Sequence, residues 1–116
     1  MKDILGLLTL FAMSFSLQAS GCETATSKER FTSIYETVQL KKGDQQKYIL
    51  ITGYARRECI TVDQLSNFLE LIDEHKIKVS TIQAAYNYLF DVKNIDKLIS
   101  DFTEQEKKLI RKASKK

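Results

Sequence analysis

Two cysteines and one histidine are the residues of this 116-residue chain best suited by type to chemistry. Cys59 with His75 would be a thiol nucleophile and its base, an arrangement that needs a third group to orient the base. No such group stands out. Glu58 directly precedes Cys59, and a neighbouring carboxylate raises a thiol's pKa and opposes the thiolate. Asp73 and Glu74 adjoin His75, but metal ligands on one helix face want spacings of three or four residues. His75 therefore reads as an exposed histidine in a connection between helices. Glu70, Asp73 and Glu74 read as a solvated rim, and neither a glycine-rich phosphate loop nor a two-cysteine zinc pattern occurs. The expectation is a non-enzyme with no catalytic, metal or cofactor-binding residue. The contrasting reading is a thiol-dependent enzyme centred on Cys59, which a free, reactive Cys59 would favour.

The elements that would position these residues are helices. Cys59 to Phe102 carries three apolar stripes in succession, at Leu65, Phe68, Leu69 and Ile72, at Ile82, Ala85, Tyr86 and Leu89, and at Ile95, Leu98, Ile99 and Phe102. Each has the i, i+3, i+4, i+7 spacing of one helix face. Thr61 and Gln64 form a capping box before the first stripe, and Asp91 is placed to cap the third helix. Upstream, Thr26 and Glu29 read as a capping box for a helix with the stripe Phe31, Ile34, Tyr35 and Val38. Gly43 suits the left-handed position after that helix. Asp44 then reads as the N-cap of a helix through Tyr48, Ile51 and Ala55. Tyr48 to Thr52 is β-branched enough to suggest a strand, but no other segment offers it a partner. Gly53 costs about 1 kcal/mol inside a helix relative to Ala, so close packing or a bend is expected there. With no proline and only four glycines, the expectation is an all-α fold, a small bundle of about five to six short helices.

Residues 1–21 read as a signal peptide. Lys2 supplies a minimal positive start, Ile4 to Phe15 is an apolar run short for a membrane span, and Leu17 to Gly21 resembles a cleavage segment. Residues 22–116 are then the exported helical domain, secreted or periplasmic. Cys22 follows Ala19-Ser20-Gly21, which resembles a bacterial lipobox with Ala19 where leucine is usual. Two fates are open to Cys22. It becomes a lipidated first residue that anchors the chain to a membrane, or cleavage falls after Ala19 and Cys22 pairs with Cys59 in an oxidising compartment.

The tail from Thr103 opens on a Thr103–Glu106 capping box, with Leu109, Ile110 and Ala113 as its apolar side. From Glu104 onward six cations stand against two carboxylates, in a chain whose net charge is only +3. A solvated helix face is the plain reading. The sharper one is contact of Lys107, Lys108, Arg111 and Lys112 with an anionic membrane surface, as in a secreted effector with a membrane-contacting tail. Nucleic acid is not an expected partner, because the cations lack interleaved aromatic residues and the chain reads as exported.

The run Cys59-Ile60-Thr61-Val62-Asp63-Gln64, followed by Lys78-Val79, Ala85-Tyr86, Asp91-x-x-Asn94 and Phe102, resembles domain-of-unknown-function family 4476. That family occurs in secreted and lipid-anchored bacterial proteins and in some animal proteins. The resemblance covers the second half of the chain, from about Lys47, with Ile95 where an aromatic residue is common. It implies export and a helical fold, and it brings no activity and no site. The function expected is a binding or interaction module of the cell envelope, with an unidentified protein or envelope component as partner.

Overall fold

A computed structural model describes residues 22–115, so the leader expected at 1–21 lies outside the described residues. Six α-helices and no strand occur among them: α1 Lys28–Gln39, α2 Asp44–Arg57, α3 Val62–Leu69, α4 His75–Ala85, α5 Ile95–Ile99 and α6 Glu104–Lys112. Short 3-10 turns at Tyr86–Tyr88, Val92–Asn94 and Ala113–Lys115 join or follow them. The protein is a small helical bundle. α4 is its hub, in contact with α2, α3 and α6.

The apolar stripes point inward as their spacing requires. Leu65, Phe68, Leu69 and Ile72 are buried, as are Ile82, Ala85 and Leu89, Ile95 and Ile99, and Ile34 and Val38. Phe31 and Tyr35 of α1 close over Phe68, with ring centroids 5.0 and 6.1 Å from its own. The tail helix docks through Ile110, which is fully buried, whereas Leu109 stays nearly half exposed. Tyr48 to Thr52 is helical. Ile51, Thr52 and Ala55 turn one face of α2 to the core, and the buried Thr52 hydroxyl donates back to the Tyr48 carbonyl at 2.9 Å.

Both capping boxes of the second half are present. Thr61 accepts from the Gln64 N–H and Thr103 from the Glu106 N–H, and each glutamine or glutamate side chain returns the bond. Four local expectations are corrected. The first helix is capped by Ser27, which accepts from the Arg30 N–H, and not by a Thr26–Glu29 box. Thr26 is drawn away by its N–H donating to the Cys59 carbonyl at 2.7 Å. Gly43 does adopt positive φ, at 84°, but as the residue before α2 and not as the C′ residue of α1, whose cap is Leu40. Gly53 marks neither a bend nor a close approach. α2 runs through it unbroken, and an added Cβ would meet only an Arg57 guanidinium nitrogen at 3.6 Å, ordinary contact. Gly53→Ala should therefore stabilise the protein by about 0.4–1 kcal/mol through the unfolded chain's lost freedom. A lowered thermal midpoint would contradict this.

The fourth correction concerns Asp44 and Asp91, which cap helices remote in sequence. Asp44 is the first residue of α2, and its carboxylate accepts the N–H groups of Asp73 and Glu74 at 3.0 and 2.8 Å, just ahead of α4. Asp91 accepts the N–H of Val62, first residue of α3, at 2.8 Å and the Asn94 side-chain amide at 2.9 Å. The Asp73 and Glu74 N–H groups hold the Asp44 carboxyl below its ordinary value. Burial pushes the Asp91 carboxyl up, but the Asn94 amide and the Val62 N–H outweigh it, and the group ends below its ordinary value. A carboxyl depressed in the folded state stabilises at pH above its unfolded value, and the contribution is lost as pH falls through the folded one. The thermal midpoint should thus fall on acidification below the ordinary carboxylate range. Asp44→Asn should flatten that acid limb, and an unchanged limb would exclude Asp44 as a contributor.

Candidate functional site

Cys59 and His75, the nucleophile and base of the enzyme reading, are not brought together, whereas the two cysteines are. Cys59 is half-buried within the α2–α3 connection and is disulfide-bonded to Cys22, with a Cα separation of 5.9 Å. Glu58 beside it is engaged by Arg30, whose Nη2 donates to Oε2 at 2.9 Å and draws the Glu58 carboxyl below its ordinary value. His75 belongs to α4 as its first residue, not to a connection, and its side chain is about half exposed. Its Nε2 lies 2.8 Å from Glu106 Oε2, and its ring rests on Phe102 with centroids 4.8 Å apart. That bond, together with the Thr103 N–H, holds the Glu106 carboxyl below its ordinary value. Cys59 and His75 line different clefts. Among the described residues no cluster of three or more His, Cys, Asp or Glu side chains could hold a metal.

The basic tail is partly spent within the fold. Lys107 Nζ reaches Glu104 at 3.3 Å, and Arg111 Nη2 reaches Asp96 of α5 at 2.6 Å. Lys108 and Lys112 are exposed and make no ion pair among the described residues. No helix among the described residues is long and apolar enough to cross a membrane.

A concavity lies elsewhere, over the polar face of α4. Lys76, Ser80 and Gln83 follow one another at steps of four and three on the side of α4 opposite Ile82, and Asn87 continues the row from the 3-10 turn after the helix. Tyr48 and Arg56 of α2 wall one side of this stripe, and Leu109 and Lys112 of α6 wall the other, enclosing a cleft of about 550 Å³. Two further clefts adjoin it. One of about 560 Å³ shares Arg56, Asn87 and Tyr88 with it and runs to the disulfide and Phe90. The other, about 460 Å³, shares Ser80, Gln83 and Leu109 with it and runs to His75 and Glu106. Together they form one groove. Its floor is fastened to α6 and the turn after it by hydrogen bonds, Gln83 Nε2 donating to the Leu109 carbonyl at 3.1 Å and Asn87 Nδ2 to the Ala113 carbonyl at 2.8 Å.

Among the described residues, three of the five large apolar side chains left exposed, Tyr88, Phe90 and Leu109, lie on this groove. Sequence reasoning missed Arg56, Tyr88, Phe90 and the α4 stripe. The signal for the stripe was present as small polar residues at helical spacing facing away from Ile82 and Ala85. Nothing in the sequence signalled that α2 and α6 would stand on either side of it.

Fold and groove together define a small all-α domain with a grooved surface and no free thiol among the described residues. The chain belongs to the family DUF4476, described as a domain of unknown function, whose family model matches residues 25–113. The match extends beyond the second half of the chain to take in α1 and the start of α2. No curated protein and no solved structure matches the chain.

Proposed function

We propose that the chain is an exported, non-catalytic interaction module of the cell envelope. The observation that carries this reading is the Cys22–Cys59 disulfide, which joins the chain's two cysteines. Disulfides persist in oxidising compartments, in keeping with a leader over residues 1–21. A bonded Cys59 sulfur supplies no nucleophile, which argues against thiol-dependent catalysis. A Cys22 sulfur held in a disulfide also cannot carry a lipid thioether, so the reading takes cleavage after Ala19 and a secreted or periplasmic chain. The groove over α4, with exposed rings among cations, supplies the surface for a partner. Contact of Lys108 and Lys112 with an anionic membrane would be secondary, since Lys107 and Arg111 are already paired.

Intact-mass analysis of the protein purified from its native envelope or extracellular fraction tests the reading. The expected chain starts at Ser20, has lost two hydrogens to the disulfide, and takes up no iodoacetamide until reduced. A chain retaining Met1, or a Cys59 alkylated without reductant, would sink it.

A further inference from the structure

We infer that the middle cleft of the groove over α4 binds one compact dianionic group, the phosphate of a phosphomonoester, between Arg56 and Lys112. The inference rests on the interaction-module reading above and names that module's site and ligand class. Arg56 of α2 and Lys112 of α6 stand on opposite walls of this cleft of about 550 Å³, and among the described residues no carboxylate lines it. Both cations are exposed and make no ion pair among the described residues. A cleft lined by charge of one sign concentrates ions of the other. The extent of the positive stretch decides the size of the anion. Glu58 lines the cleft at one end of the groove and Glu106 the cleft at the other. Glu58 is paired with Arg30, and Glu106 keeps its charge beside a histidine that is cationic only when protonated. An acidic chain laid along the groove would meet these carboxylates, whereas a single group in the middle cleft meets neither.

Charge and donors together select the phosphate. Two unpaired cations match a phosphomonoester, which carries about −1.5 to −2 near neutral pH, where a carboxylate carries a single charge. Gln83 and Asn87 each give one amide N–H to α6 or the turn after it and keep a second. Tyr48, Ser80 and Tyr88 line the same cleft, and their hydroxyls make no hydrogen bond among the described residues. Arg, Lys, hydroxyl and amide groups are the side-chain donors that phosphate oxygens accept from. A tetrahedral phosphate turns oxygens toward both walls and the floor at once, whereas a planar carboxylate offers two on one side. Asn87 is exposed and Gln83 half-buried, so their amide oxygens keep water as donor. Tyr88 and Leu109 are 46% and 44% exposed and offer apolar surface to the organic part of the ester. The volume is that of a small-molecule site, about 300–1,000 Å³.

NMR titration of the oxidised protein with phenyl phosphate, followed at backbone and side-chain amides, tests the inference. Shifts should saturate, centre on Ser80, Gln83 and Asn87 with their side-chain amides, and weaken with salt. Affinity should fall about tenfold or more in Arg56→Gln/Lys112→Gln. Lys41→Gln/Lys42→Gln removes the same charge from the exposed α1–α2 connection and should leave affinity within about twofold. Should the first pair disturb folding, which circular dichroism would report, Lys112→Gln alone should still weaken binding severalfold, about half the pair's effect on a logarithmic scale. Benzoate should bind more weakly than phenyl phosphate, and benzyl alcohol should not bind. Equal loss in both double variants, equal affinity for benzoate, or shifts spread over the basic surface without saturation would each overturn the assignment. A lipid headgroup and a soluble ester present the same phosphate, and competition with phosphatidic acid vesicles separates them. Displacement of phenyl phosphate places the ester on a lipid, and undisturbed binding makes it a soluble ligand. Failure of the module reading shows separately. Release of inorganic phosphate from phenyl phosphate, or an alkylatable Cys59, would overturn that reading and leave the cleft assignment standing.

Discussion

Phe68→Ala should destabilise the protein by about 3–5 kcal/mol, the cost of removing a fully buried aromatic side chain from a packed core. Phe68 has no exposed surface and is the largest fully buried side chain among the described residues. Its ring meets Phe31 edge-on and lies nearly parallel to Tyr35, so the deletion also strips both α1 rings of their partner. Those rings are only half-buried and cannot collapse into the space without exposing the other side of α1. The loss is a large share of the stability expected of so small a domain. Thermal and denaturant unfolding followed by circular dichroism check it. An unchanged midpoint would mean that α1 and α3 do not pack as described.

Cys22→Ser/Cys59→Ser should cost about 4 kcal/mol, the chain entropy that a cross-link over 37 residues removes from the unfolded state. The bond closes a loop that contains all of α1 and α2. It also holds the segment before α1 where the Thr26 N–H reaches the Cys59 carbonyl and the Gln64 amide reaches the Thr26 carbonyl at 3.1 Å. Reduction of the native protein should lower the denaturation midpoint as the double substitution does, and the substituted protein should ignore reductant. A native midpoint indifferent to reductant would refute the prediction. Because Phe68 lies in α3 outside the cross-linked loop, the two losses should combine nearly additively, apart from the coupling that α1 carries between them.

Much of the fold was legible because it is local. A helix buries one face, and the residues of that face recur at three and four. The stripes of α1, α3 and α4 were therefore visible, as were the capping boxes at Thr61 and Thr103, whose partners stand three residues apart. Segments that depart from the regular period were less legible. Ile95 to Phe102 reads as one helix stripe, yet only Ile95–Ile99 is α-helical, preceded by a 3-10 turn. α4 ends at Ala85 although Leu89 stays buried.

What the sequence determined by itself is the class, all-α, the buried faces of its longer helices and two of their caps, since each depends on residues within one or two helical turns. What only the tertiary structure decided depends on distance across the fold. Asp44 and Asp91 were legible as caps, but the N–H groups they satisfy lie 29 and 30 residues away. A carboxylate takes whichever orphan donors the packing brings to it. The choice of Ser27 over Thr26 follows from the Cys59 carbonyl, which claims the Thr26 N–H. The groove is of the same kind. The polar stripe of α4 is written in the sequence, but a floor becomes a site only when walls stand beside it. Arg56 and Lys112 reach its two sides because α2 and α6 bury Ile51 and Ile110 in the core beside α4.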